Sequence, residues 1–139
     1  MARVITPQGT VGVQVWGRLE SSLGYLPFVE VASRHAGREA IGLLTTYFVH
    51  GDLDRLKELF ATAGLEVTAT TTRLGAMRFD SIDEFVTIEV ESTPLGGMLD
   101  DATLEAIRAD ARQALDRFVT DGGVSVPIEG HIVVARRAG

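Results

Sequence analysis

The sequence contains no cysteine, which excludes a disulfide, a thiolate nucleophile and any Cys-ligated metal, and fits a reducing cytoplasm. Lysine is nearly absent. The single one, Lys57, follows Leu56 inside a helical pattern, so no phosphate-binding P-loop can be drawn. Long apolar runs are also missing: none approaches the roughly 20 residues of a membrane-spanning helix. Met1 to Pro7 lacks the apolar core of a signal peptide. Nor is there an excess of positive charge. Thirteen basic against nineteen acidic residues leave a net charge of −6, which repels phosphate backbones and argues against a nucleic-acid partner.

What is present suits one domain with its own core: 139 residues, 45% of them hydrophobic and 23% charged. The strongest local signal is Gly9 to Trp16. Val11, Val13 and Val15 alternate behind the turn Pro7-Gln8-Gly9 and before Gly17-Arg18, which predicts a strand with one face committed to a core. Tyr25 to Ala36 reads as a helix with Pro27 near its start and Gly37 as its stop. Arg38 to Phe48 is expected to be a short helix followed by an extended segment, because Gly42 and Thr45-Thr46 weaken a continuous helix. Asp52 caps a clear helix to Ala63, with Leu53, Leu56, Leu59, Phe60 and Ala63 as its buried stripe and Gly64 as its end.

Leu65 to Phe79 alternates as a strand, with a bulge or bend expected at Gly75. Ser81-Ile82-Asp83-Glu84 is a capping box opening a helix that must stop before Pro94. Gly96-Gly97 makes a loop, and Asp100 and Asp101 open the longest helix, expected to run to Gly122-Gly123. Val124 to Arg137 closes the chain as a strand, with Pro127 and Gly130 as interruptions and Ile132-Val133-Val134 as its most buried part.

A dinucleotide site on an α/β sheet needs glycines at G-x-G spacing, and none of the fifteen glycines has that spacing. His35, His50 and His131 show no H-x-H or H-E-x-x-H pattern, so no metal site is expected and each reads as a capping or surface residue. No G-x-S-x-G elbow is present. Glu89 and Glu91, at i and i+2 of a helix, point to different faces and read as a solvated surface rather than an acid/base pair. Trp16, Tyr25, Phe28, Tyr47 and Phe48 fall in the least regular part of the chain, and Trp16 stands at the carboxyl end of a strand. They read either as core residues or as the walls of an apolar substrate cavity.

Thr6-Pro7-Gln8-Gly9-Thr10-Val11 through Val15-Trp16-Gly17 resembles the L-x-P-G-G turn and fifth strand of class I S-adenosylmethionine-dependent methyltransferases of the ubiquinone/menaquinone-biosynthesis-like group, with Gln8 where that pattern has glycine. Gly51-Asp52-Leu53 to Gly64-Leu65-Glu66-Val67 is similar to the family's helix before its sixth strand. Phe79 to Phe85 and the tail from Asp121 to Arg137 resemble its substrate-side insertion and seventh strand. The resemblance implies an α/β fold: a partial Rossmann-like methyltransferase sheet of about three strands, the last two antiparallel, with packed helices in a single domain over 1–139. It implies the substrate-binding part of a methyltransferase, inactive without a separate S-adenosylmethionine-binding half. No cofactor-binding residue is carried over to this chain, because the family's cofactor elements precede its fifth strand. The expected partners are a cofactor-binding chain or a second copy in a homodimer, and a small apolar ligand held by Trp16, Tyr25, Phe28, Tyr47 and Phe48. The alternative is a non-catalytic small-molecule-binding or dimerising module.

Overall fold

The structure, a computed structural model, describes residues 2–137. Its strands are β1 (Thr10–Trp16), β2 (Leu65–Phe79), β3 (Val119–Thr120) and β4 (Gly123–Arg137). Its α-helices are α1 (Tyr25–Ala36), α2 (Arg38–Leu44), α3 (Leu53–Thr62), α4 (Ile82–Glu91) and α5 (Asp101–Ala114). The class is therefore α/β. Every strand pair is antiparallel and β4 lies at the centre, with β1 on one side and β2 on the other. Val13 faces Val133 across one ladder, and Leu65 to Phe79 run opposite Arg137 to Val124 across the other. The two-residue β3 pairs with the start of β4.

β4 buries opposite faces at its two ends. Val124, Val126 and Ile128 are buried in the first half, and His131, Val133 and Ala135 in the second. Alternate side chains point to opposite faces of a strand, so the change from even to odd positions moves burial from one face of the sheet to the other. The first face carries the large core built from α1, α2, α4 and α5. The second carries a smaller cluster beneath α3, where Leu56 and Phe60 meet Leu65, Val133 and Ala135. Val11, Val13 and Val15 of β1 pack against this smaller cluster.

Polar side chains set the helix starts. The Asp52 carboxylate accepts from the amides of Asp54 (3.0 Å) and Arg55 (3.2 Å), and that of Asp100 from Thr103 (2.8 Å). Ser81 Oγ accepts from the Glu84 amide at 3.1 Å, while the Glu84 carboxylate accepts from the Asp80 amide, one residue earlier than in a regular capping box. Gly37 and Gly64 follow their helices with φ of +81° and +72°, a region that strains any residue with a Cβ.

The structure corrects several expectations. The segment after α2 is not extended but forms a 3₁₀ turn, Thr46–Phe48. Thr45 and Thr46 donate their hydroxyls to the Ile41 (2.6 Å) and Gly42 (3.0 Å) carbonyls, so the threonines continue the helical path. In α3, Leu59 is 47% exposed and Ala63 is exposed too, because the helix meets only a narrow strip of sheet. Gly75 stays in register opposite Ile128; the bulge lies between Val67 and Ala69, where Thr68 donates to the Val134 carbonyl at 3.3 Å. The longest helix ends at Ala114, and a 3₁₀ turn (Asp116–Phe118) leads into β3.

Nor do Pro127 and Gly130 interrupt β4. The Glu129 carbonyl accepts from the Gly17 amide at 2.8 Å, on the side of β1. Pro127, two residues earlier, faces that same side where β1 has already ended, so its missing N–H leaves no gap in a ladder. The run Ile132-Val133-Val134 is not uniformly buried. Ile132 is 46% exposed while Val133 is fully buried, as strand alternation requires.

Candidate functional site

At the carboxyl end of β1 the chain turns through residues 17–24 into α1, and beside this turn a cavity of about 190 Å³ opens. Trp16 comes from the end of β1, Tyr25 from the start of α1, and Tyr47 and Phe48 from the 3₁₀ turn after α2. Met77 of β2 and Ile128 of β4 add apolar surface from the sheet. Glu89 and Ser92, at the C-terminal end of α4, bring the polar groups.

Aromatic packing fixes the inner side of the cavity. The Tyr25 ring meets Phe48 edge to face at 5.5 Å and Phe85 at 5.4 Å. Phe85 in turn packs against Phe28 (4.9 Å) and Phe79 (5.1 Å). Of the five aromatic residues singled out from sequence, Trp16, Tyr25, Tyr47 and Phe48 therefore line one cavity. Phe28 does not. It is 1% exposed and lies behind Phe85 in the core, on the face of α1 turned toward α4 and α5.

Glu89 corrects the sequence reading most sharply. It is 8% exposed, whereas Glu91 is exposed as expected. Glu89 lies three residues after Val86 and four after Phe85, on the helix stripe that faces the core. Its Oε1 accepts a hydrogen bond from the Tyr25 hydroxyl at 2.9 Å. Burial pushes the Glu89 carboxyl above the usual carboxylate range, and the Tyr25 hydrogen bond only partly opposes this. Burial also raises the Tyr25 phenol, with the neighbouring Glu89 charge adding to the effect. A second polar chain completes the rim: the Tyr47 hydroxyl lies 3.1 Å from Ser92 Oγ, and Ser92 Oγ donates to the Glu89 carbonyl at 3.3 Å.

The histidines have separate places. His35 Nε2 is 2.9 Å from Asp110 Oδ2, tying α1 to α5, and His50 is exposed. His131 is not a surface residue: it is 4% exposed on the α3 side of the sheet. Its Nε2 donates to the Gly51 carbonyl at 3.1 Å, and its Nδ1 lies 2.9 Å from the Thr72 hydroxyl, a pattern that the neutral Nε2–H tautomer satisfies. Among the described residues, no three His, Cys, Asp or Glu side chains converge as metal ligands.

The glycines of the turn between β1 and α1 are explained by packing. A Cβ at Gly17 would strike the Glu129 side chain, and one at Gly24 would strike Val126. These glycines let the backbone pack on β4 rather than expose amides to a phosphate. The walls of the cavity are mostly apolar and carry a single carboxylate, that of Glu89. Among the described residues, no helix is long and apolar enough to cross a membrane. No protein-family model matches the chain, and no curated protein is similar to it.

Proposed function

We propose that this chain is the substrate-binding part of a methyltransferase-like protein, with S-adenosylmethionine held by a half that lies outside residues 1–139. The observation that carries the reading is the position of the cavity at the carboxyl end of β1, where Trp16 is both the last residue of the strand and part of the lining. Ligands of open α/β sheets bind beyond the carboxyl ends of parallel strands, and β1 and β2, both antiparallel to β4, run parallel to each other and bring Trp16 and Met77 near their carboxyl ends to this cavity. The pairing of the last strand antiparallel to β2 agrees with the family resemblance. Methyl transfer of this kind depends mainly on bringing donor methyl and acceptor atom together. An orienting cavity without a strong acid/base constellation is consistent with that role. A chain free of cysteine suits the cytoplasm, the compartment we propose.

Two measurements test this reading. Calorimetry with S-adenosylmethionine is expected to give no low-micromolar dissociation constant for residues 1–139, and such a constant would overturn the division of labour. A small-molecule fragment screen, read at the indole resonance of the single tryptophan, Trp16, is expected to find ligands. If no fragment shifts that resonance, the cavity is not a binding site.

The open sheet edges favour a second reading, in which the chain is a dimerising module. Among the described residues β1 and β2 each pair with β4 alone, and residues 69–76 of β2 are exposed, with Leu74 at 67%. An unpaired edge of this length is a template for another strand. In that case light scattering at micromolar concentration gives more than the 14.9 kDa of one chain, and a single 14.9 kDa species sinks the dimer.

A further inference from the structure

Glu89 is a carboxylate with no cation of its own. Among the described residues it takes part in no salt bridge, although Arg18, Arg108, Arg112 and Arg136 all have carboxylate partners elsewhere. Its only side-chain hydrogen bond is the one from Tyr25, which occupies Oε1. A carboxylate offers about four acceptor sites, so most of its capacity is unused. No Lys, Arg or His lines the cavity it faces.

Its position on the helix adds to the imbalance. Glu89 sits in the last turn of α4, which ends at Glu91. The aligned peptide dipoles give that end of a helix a partial negative charge, which disfavours an anion and favours a cation. The other groups around the cavity have the same preference. Trp16, Tyr25, Tyr47 and Phe48 bring ring systems to its wall, and aromatic faces attract cations, most strongly when water is excluded. Apart from the rings, Glu89 and Ser92, the lining is apolar. A primary ammonium needs three acceptors for its N–H groups. A tertiary or quaternary alkylammonium presents methyl groups to the rings and needs one acceptor or none.

We propose that the cavity between Trp16, Tyr47 and Glu89 binds a small organic cation of the tertiary or quaternary alkylammonium class, with the Glu89 carboxylate as counter-ion and the aromatic rings as its cage. This inference rests on the reading of the cavity as a ligand site and specifies the chemistry of that ligand. Phe48 and Tyr25 form the inner wall, and Tyr47, 38% exposed, stands at the entrance. The cation supplies the charge missing beside Glu89 and needs no proton donor that the cavity lacks.

Charge must be separated from shape in the test. Choline and tetramethylammonium are titrated into the protein, followed by Trp16 fluorescence and its indole resonance. 3,3-Dimethylbutanol, the neutral carbon isostere of choline, is titrated in parallel. Choline is expected to bind about tenfold or more tightly than the isostere. Glu89→Gln, which keeps an acceptor for the Tyr25 hydroxyl, should abolish that preference while leaving the isostere unchanged. Tyr47→Leu, at an exposed position where folding is not at stake, should weaken choline several-fold and the isostere less. Melting curves of both variants establish that they are folded. Equal affinity for choline and its isostere overturns the cation assignment and leaves the small-molecule site standing. A choline preference that survives Glu89→Gln overturns the role of Glu89. If neither cation shifts Trp16 while neutral fragments do, only this inference falls; if nothing shifts it, the site reading falls too.

Discussion

The two faces of the sheet are held by clusters of different construction. On one face, Phe28, Phe85, Val86, Ile107 and Leu115 are almost wholly enclosed beneath four helices. On the other, Leu56 and Phe60 of one helix, with Ala2 and Ile5 of the N-terminal segment, meet Leu65, Val133 and Ala135, and Val11, Val13 and Val15 stay only partly buried. The first is a closed interior that fixes ring geometry to within a contact distance. The second is one layer deep and can relax toward solvent. The candidate site belongs to the margin of the first, where helices and 3₁₀ turns meet the end of β1, and so it combines enclosed walls with an open side.

Substitutions that create cavities can break or sharpen this contrast. Phe85→Ala removes a fully buried ring that touches Tyr25, Phe28 and Phe79. The expected loss is about 3–5 kcal/mol in denaturant unfolding; a loss below about 1.5 kcal/mol would mean that the large cluster is not close-packed. Leu56→Ala, in the shallow cluster, is expected at the low end of the range for its type, about 2–3 kcal/mol, because α3 can settle onto the sheet. An equal or greater loss than Phe85→Ala would reverse the ranking of the two faces.

Ser81→Ala deletes the α4 cap without touching either cluster, and about 1 kcal/mol is expected. Hydrogen exchange should show the change confined to the first turn of α4. Protection lost across the whole helix would show that the cap, rather than the core stripe, holds it.

The smallest effect has the opposite sign and depends on pH. Burial raises the Glu89 carboxyl above its unfolded value, so the folded chain binds that proton more tightly than the unfolded one. Stability from this group is therefore greatest below the ordinary value of 4.5 and is lost as pH rises through the folded value. Asp52, Asp83 and Asp100 behave in the reverse way. Hydrogen bonds hold their carboxyls down, from Arg55 first for Asp52, Arg112 for Asp83 and Thr103 for Asp100, and their contribution is lost on acidification. Those three act equally in the wild type and in Glu89→Gln. The melting difference between the two proteins isolates Glu89, and the variant should gain relative to the wild type from pH 4 toward pH 7. A difference that does not vary with pH would show that Glu89 is not desolvated.

The same contrast explains what was legible in the sequence. Caps are local: Asp52, Ser81 and Asp100 each satisfy amides two or three residues away, so their spacing alone marked the helix starts. The strand bounds Leu65 and Phe79 followed from composition and from Gly64. Burial on the shallow face was harder, since a periodic stripe states which residues can be covered and not how much sheet is there to cover them. Leu59 and Ala63 match the period of Leu56 and Phe60 and remain exposed.

The change of faces along β4 depends on which helices cross which half of the sheet, a non-local fact that Ile132-Val133-Val134 does not encode. Four of the five aromatic residues named for a cavity came together because the chain brings three local segments to one strand end. Phe28 shares the pattern but points into the interior. Glu89 was missed although its position on the Phe85–Val86 stripe was readable. A charged residue is expected at the surface unless something inside can receive it, and here the Tyr25 hydroxyl, 64 residues away in sequence, does so.

His131 links the α3 side of the sheet to the loop that precedes α3. Its imidazole belongs to the α3 side, yet it grips Gly51, which closes the segment that displays Tyr47 and Phe48. Gly51 in turn lies so near the backbone of Gly17 that a methyl group there would collide with it. The imidazole thus bridges Thr72 of β2 and the loop before α3, so the place of that loop, and of the Gly17 backbone packed on it, is tied to a group buried on the α3 side of the sheet.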